Sequence, residues 1–494
     1  MSDGVVVVGS GPNGLAAAVT IARAGVPVTV LEGQQTPGGG ARTLDLGLAP
    51  GIVHDICSAV HPMAAASPFF RELDLKSLGV ELSTPEVSYA QPLPGGRAGI
   101  AYRSLSSTAA GLGVDGPAWE RLLGGLSRRW EQLTAFGLGD LQRVPSRLRP
   151  RDLPLLTRLA LGVMEQGTPA SGLRFRGDVA PALLAGVATH ANAPLPSVPT
   201  AAVALVLAAL AHSPGGWAVP RGGSGALMDA LVRDLEAHGG TVVTGHPVRS
   251  RADLPPARAY LFATAPGVVA QVLADELPAR ARRRLLGFRR GNAVAKVDFV
   301  LSGPVPWTVP DVGRAGTVHV SGTLAEIVAA EREVAAGRHA AQPVCLVSDP
   351  AVTDSAREVG GLRPLWSYAH VPAGSDLDLT EAVTSQIERF APGFRDVIVA
   401  ARCVPAARMA DHNEALVDGD ILGGALTIPR LLSGPAGRLD PYATGVPDVL
   451  VCSSSTPPGP GVHGLSGLYA ARRILRRLGA DTGRPDATVP VARS

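Results

Sequence analysis

Four consecutive valines, Val5 to Val8, run directly into Gly9-Ser10-Gly11-Pro12-Asn13-Gly14, and this junction restricts the fold more than anything else in the chain. A continuous β-branched run predicts a parallel strand buried on both faces. The Ala-rich stretch 15–24 predicts a helix that Gly25 ends, and 28–31 predicts a second strand finishing in Glu32. In a strand–turn–helix of this kind the first glycine permits the tight turn. The second lets the backbone approach a pyrophosphate, and the third lets helix and strand pack closely. The helix N-terminus then offers free N–H groups to phosphate. An isolated G-x-G-x-x-G means little among 59 glycines. Its specificity comes from the preceding strand, the following helix, the second strand and the acid about 20 residues on. Gly9, Ser10, Gly11, Pro12, Asn13 and Gly14 are thus read as a dinucleotide turn. Glu32 is read as the partner of a free ribose 2′-hydroxyl, since it would repel a 2′-phosphate.

Pro37-Gly38-Gly39-Gly40-Ala41-Arg42-Thr43 follows the acid within a few residues. Gly38, Gly39, Gly40, Ala41 and Arg42 suit a second approach to the pyrophosphate. The stretch resembles the second flavin motif of the amine oxidase and phytoene desaturase superfamily, and the resemblance implies FAD. Residues 220–227 (PRGGSGAL) resemble the segment that returns the chain to the FAD domain in those proteins. Residues 241–248 (TVVTGHPV) resemble the strand pair that meets the adenine, which implies a cofactor contact for Val248. Residues 448–464 (DVLVCSSSTPPGPGVHG) resemble the C-terminal flavin motif, which implies contacts for Ser454, Pro458, Gly461 and Val462 and a closing helix at 468–478. The chain is most similar to phytoene-desaturase-like proteins grouped with the pyridine nucleotide-disulfide oxidoreductase domain-containing proteins. The likeness covers nearly the whole length, including 54–62, 67–70, 303–307 and 388–394. It departs at Ser453, Ser454 and Ser455, where many members carry an acid for the ribityl chain.

The resemblance implies an α/β fold: a Rossmann-type, glutathione reductase-like FAD-binding domain with an inserted α+β substrate domain. The FAD domain is expected to be discontinuous over 1–70, 215–290 and 435–485. The substrate domain falls at 71–214 and 291–434, with a tail at 486–494.

Composition narrows the partners. Net charge is +3, from 45 basic and 42 acidic residues, so no dominant field favours nucleic acid. The four cysteines form no C-x-x-C pair, which argues against zinc, dithiol chemistry or a secreted disulfide framework and fits a reducing cytoplasm. The most apolar stretch, 201–211, is too short to span a bilayer and reads as a buried helix or the wall of an apolar tunnel. Peripheral membrane contact and oligomeric state stay open.

Only Lys76 and Lys296 are lysines in this arginine-dominated chain. Lys296 sits in a strand-like run, where two readings have equal weight. By resemblance it matches the lysine that amine oxidase relatives hold near flavin N5; by period-two geometry it forms a solvated pair with Asp298. His463, in the C-terminal motif, is a second catalytic candidate through contact with flavin or substrate. Ser58, His61 and His370 rank lower, and His190 and His212 read as core or cap residues. No second nucleotide fingerprint occurs, so the reduced flavin needs oxygen, a quinone or another external acceptor. The expected activity is hydride removal from a C–H bond of an apolar or partly apolar small molecule, giving desaturation. A non-redox FAD-dependent isomerase and an FAD-binding chaperone-like protein are the alternatives.

Overall fold

The computed structural model describes residues 4–140, 142 and 149–480. The tail expected at 486–494 lies outside these. Val5–Val8 is buried along its whole length and occupies the centre of a five-stranded parallel sheet. Ala259–Phe262 and Val28–Leu31 flank it; Val449–Val451 and Thr241–Val243 form the edges. Val5 and Val7 join one core while Val6 and Val8 join another on the opposite face, which is why all four positions are apolar.

The first helix, Pro12–Arg23, starts inside the glycine turn with proline in its first turn, earlier than the sequence expectation of 15. It packs against the closing helix Leu465–Arg477, which also starts earlier than expected. The contact is backbone-close: a Cβ on Gly467 would lie 1.8 Å from the carbonyl oxygen of Asn13. From the same closing helix Arg473 reaches Asp140 at 2.8 Å and Asp440 at 2.9 Å and stacks on Tyr442, tying together segments far apart in sequence. The strand pair expected at 241–248 is only Thr241–Val243, an edge strand with exposed positions. Gly245, at φ +64°, turns the chain, and 246–248 continue as loop.

A seven-stranded mixed sheet is built from strands within 87–102 and 293–404. Its longest central strands are Ala293–Leu301 and Arg363–Val371. Ala293, Ala295, Val297, Phe299 and Leu301 enter a core on one face. Val294, Leu346, Trp366 and Tyr368 turn to the other face, against residues of helices Gly116–Ser127, Val179–Ala188 and Val198–Ala211. No helix among the described residues is long and apolar enough to cross a membrane.

Candidate active site

Loops leaving four carboxyl ends of the parallel sheet, at 9–14, 32–34, 263–265 and 453–454, wall one side of a cavity of about 570 Å³. This is the edge at which open parallel sheets bind ligands. Gly9 has φ +92°, and a Cβ on Gly14 would meet its carbonyl oxygen at 2.0 Å. The second glycine loop touches the first at Gly39, whose Cβ would lie 2.8 Å from the Gly11 Cα. The N-cap of the first helix is Gly11, which has no side chain to cap it, so among the described residues its leading amides are open to an anion. Glu32, nearly buried, accepts from the Ser10 amide at 2.9 Å, the Gln34 amide at 2.8 Å and the Ser10 hydroxyl, yet it still lies on the cavity wall. An uncapped helix end, a cradle that any Cβ would fill and a carboxylate beyond it suit the phosphates and ribose of a dinucleotide.

The sequence-derived cofactor residues separate into two groups. Gly9, Gly11, Pro12, Asn13, Gly14 and Glu32 lie on the wall, as do Gly39 and Gly40. From later in the chain Val248, Ser454, Pro458, Gly461 and Val462 lie on it too. Ser10, Gly38, Ala41 and Arg42 stand behind it. Ser10 accepts from the Gly38 amide and so links the two motifs. The sequence aims Arg42 at the pyrophosphate, whereas its guanidinium is buried and braces the loop. It donates to the Gly39 carbonyl at 2.9 Å, to Thr36 Oγ1 at 3.1 Å and to the His412 carbonyl. Burial lowers its pKa despite the opposing pull of Glu32.

Beyond residues 57–63 the cavity becomes an apolar chamber, walled by Val203, Val206 and Leu207 of helix Val198–Ala211 and by Trp217, Leu346 and Ile421. Glu32 and Glu414 are the only charged side chains on the described wall, and Glu32 belongs to the cradle. His61 lies on this wall although its sequence context gave it a low rank. Its Nε2 is 2.8 Å from the Ser224 hydroxyl, which donates its own hydrogen to the Ser58 carbonyl. The hydrogen of the first bond therefore sits on His61 Nε2, leaving Nδ1 as an acceptor. Burial pushes this imidazole down to about 4, against the pull of Asp55, so it is neutral at pH 7.

Lys296 is 2% exposed, which removes the solvated-pair reading. Its ammonium pairs with Asp298, also 2% exposed, and lies 5.2 Å from the centre of the Trp366 ring. His54 Nδ1 stands 3.5 Å from the same carboxylate. Lys296 is not on the cavity wall, but its neighbours Trp366 and Cys57 are. Burial raises the Cys57 thiol to about 11, outweighing Lys296, and keeps it protonated.

His463 also differs from expectation. Its Nε2 meets the Gly459 carbonyl at 3.1 Å and its Nδ1 accepts from the Leu465 amide at 3.0 Å, so both nitrogens hold the turn before the closing helix and neither faces the chamber. Sequence reading missed Thr264, Asn413, Glu414 and Trp217 as wall residues and classed His190, also on the wall, as core or cap. Thr264 was recoverable, because it follows the buried strand Ala259–Phe262 just as Gly9 follows Val5–Val8. The others come together only through tertiary folding.

The parallel sheet and the double glycine cradle at its carboxyl edge are those of a dinucleotide-binding fold, with an apolar wall adjoining. The model of the flavin-containing amine oxidoreductases matches residues 13–475, and the chain belongs to that family. It is an FAD-dependent oxidoreductase of the amine oxidase superfamily. Rat pyridine nucleotide-disulfide oxidoreductase domain-containing protein 2 is 24% identical, over 96% of this chain and 93% of that protein. Hydroxyneurosporene desaturase of Cereibacter sphaeroides is 60% identical over 40 residues, 8% of each chain. Among solved structures, a cofactor-binding redesign of putrescine oxidase superposes with a TM-score of 0.59 at 18% identity, covering 97% of this chain and 98% of that one.

Proposed function

We propose that this enzyme removes hydride from a C–H bond of an apolar or partly apolar small molecule and leaves a desaturated product, the electrons passing on to oxygen, a quinone or another external acceptor. The observation that carries this reading is the chamber beyond the cradle, whose wall is formed largely by Val203, Val206, Leu207, Trp217 and Leu346. FAD, when bound, supplies the hydride acceptor. The turn from Gly9 to Gly14 and the first helix would hold its pyrophosphate, with Gly39 and Gly40 closing on it and Arg42, Ser10, Gly38 and Ala41 keeping that second loop in place. Glu32 would accept from ribose hydroxyls. Val248 would flank the adenine end, and Ser454, Pro458, Gly461 and Val462 would flank the flavin end. The parallel-sheet segments then serve the cofactor and the mixed sheet with its helices serves the reactant.

Desaturation releases a proton as well as a hydride. His61 lies on the cavity wall with Nε2 bonded to Ser224, and its neutral Nδ1 lone pair is the group assigned to take that proton. Apolar side chains exclude water from the reacting bond. Lys296, paired with Asp298 and one ring removed from the wall, would act on the flavin end only through its neighbours Trp366 and Cys57.

An anaerobic absorbance titration tests the assignment. A panel of polyenes, isoprenoid alcohols and amines is added to the flavin-loaded protein. Bleaching of the flavin band by an apolar member, and its recovery with oxygen or a quinone, is the expected result. Bleaching by charged amines alone overturns the apolar-substrate reading, and product formation without any acceptor consumption makes the enzyme an isomerase.

A further inference from the structure

A second histidine on the chamber wall has no part in the assignments above. His190 sits in the turn Thr189–Ala191 that follows helix Val179–Ala188. The turn ends at Asn192 in the left-handed region (φ 46°), whose side-chain amide donates to the Asn292 carbonyl at 3.1 Å. The His190 ring is therefore held by backbone geometry and by its neighbours. It meets Trp217 edge-on at 5.3 Å and His319 at 5.1 Å. Its Nε2 is 3.0 Å from Nε2 of His319, on strand Ala315–Val320.

His319 is fully buried, and its Nδ1 is sealed from solvent with no hydrogen-bond partner among the described residues. Burial and the neighbouring His190 and His370 hold it well below the usual imidazole range, so it is neutral. Burial likewise lowers His190, to about 3. Two neutral imidazoles sharing one Nε2···Nε2 bond have two arrangements. If His190 donates, His319 carries its hydrogen on Nδ1, and that N–H is sealed without an acceptor. If His319 donates, the sealed Nδ1 is a bare lone pair, and His190 carries its hydrogen on its own Nδ1. Orphaned buried N–H groups are rarer in folded proteins than under-used acceptors, which selects the second arrangement. His190 Nδ1 has no protein partner among the described residues and is not sealed, and its ring lies on the chamber wall.

The geometry points to His190 as a fixed hydrogen-bond donor, pinned by His319, that binds a neutral oxygen atom of the substrate, the carbonyl or hydroxyl oxygen of an otherwise hydrocarbon molecule. The Thr317 and Tyr368 hydroxyls on the same wall rotate between donating and accepting and so do not select. A ring whose tautomer is set from behind does. The inference rests on the chamber being the substrate site.

The test is isothermal titration of the flavin-loaded protein, without oxygen, using geranylacetone and its hydrocarbon analogue in which a methylene replaces the carbonyl. His190→Phe should raise the ketone's Kd by about tenfold or more, because a buried acceptor is left unmade, while the hydrocarbon's Kd stays within about twofold. His190→Gln keeps a donor and should hold the ketone within about threefold of wild type. A second measurement needs no variant: infrared difference spectra of carbonyl-labelled geranylacetone bound to wild type should show the carbonyl band below its frequency in hexane. Equal losses for the two probes in His190→Phe, or a carbonyl band at the hexane frequency, overturn the role of His190 and leave the apolar chamber standing. If neither probe binds wild type, the apolar-substrate reading itself fails and takes this inference with it.

Discussion

Lys296→Met offers the sharpest test of how the buried charges are organised. Methionine keeps most of the lysine's length and removes its charge, leaving Asp298 at 2% exposure without its ammonium partner, His54 Nδ1 standing 3.5 Å away. Removing one partner of a buried pair costs about 3–5 kcal/mol, because the remaining charge is neither hydrated nor compensated. For a chain of 494 residues the unfolding entropy is roughly 1 kcal/mol per kelvin, so the melting temperature should fall by ~3–5 °C. Replacing both partners, as Lys296→Met with Asp298→Leu, removes the stranded charge and should recover most of that loss. Differential scanning calorimetry of the flavin-loaded variants measures both. A single variant melting within about 1 °C of wild type, or a double variant melting as low as the single one, refutes the buried-pair argument. Stopped-flow reoxidation separates stability from function. If the double variant folds normally and its reduced flavin reoxidises at the wild-type rate, Lys296 has no role toward the cofactor.

Gly39→Ala places a Cβ 2.8 Å from Gly11 Cα at φ +56°, and should weaken FAD retention by roughly tenfold or more, read as flavin content after dialysis. Val206→Arg introduces charge into the chamber; it should abolish substrate-dependent bleaching while leaving flavin content intact. His61→Gln should lower kcat by about 10²–10⁴ with FAD still bound, and a loss of less than threefold would remove His61 as proton acceptor. Stability should fall on acidification, because burial holds His61, His212 and His463 near 4 in the folded state against 6.5 when unfolded. Their contribution is complete above pH 6.5 and is lost as pH drops toward 4, with a slope of up to ~1.4 kcal/mol per pH unit for each group. Melting curves at pH 7 and 5 check it, and His463→Asn should flatten the dependence.

The cradle was legible because its determinants are local. Val5 to Val8, the glycines and Glu32 act within about 30 residues, and each carries a steric or electrostatic demand that only a few residue types meet. What could not be read is whatever depends on which face of a distant strand meets which turn. His190 and His319 are 129 residues apart, and nothing local to either announces the pair. Arg42 shows the complementary difficulty. Its place in the motif was plain, but its direction was fixed by the His412 carbonyl, 370 residues away. His463 stands in a motif that resembles a cofactor contact, yet the turn it occupies uses both its nitrogens.

The packing of the first helix on the closing helix, Gly467 against Asn13, has a consequence for how the enzyme is made. Between the synthesis of helix Pro12–Arg23 and that of its main partner, residues 465–477, lies an interval set by the intervening chain. At ~5–20 residues per second that interval is on the order of half a minute or more. Throughout it, the face of the helix at Asn13, Ala16 and Ala17, against which Gly464 and Gly467 pack in the finished fold, is without its final cover. Stable FAD binding by the nucleotide turn is thus expected only after residues 465–477 have folded against its helix, and until then that face is open to off-pathway contacts.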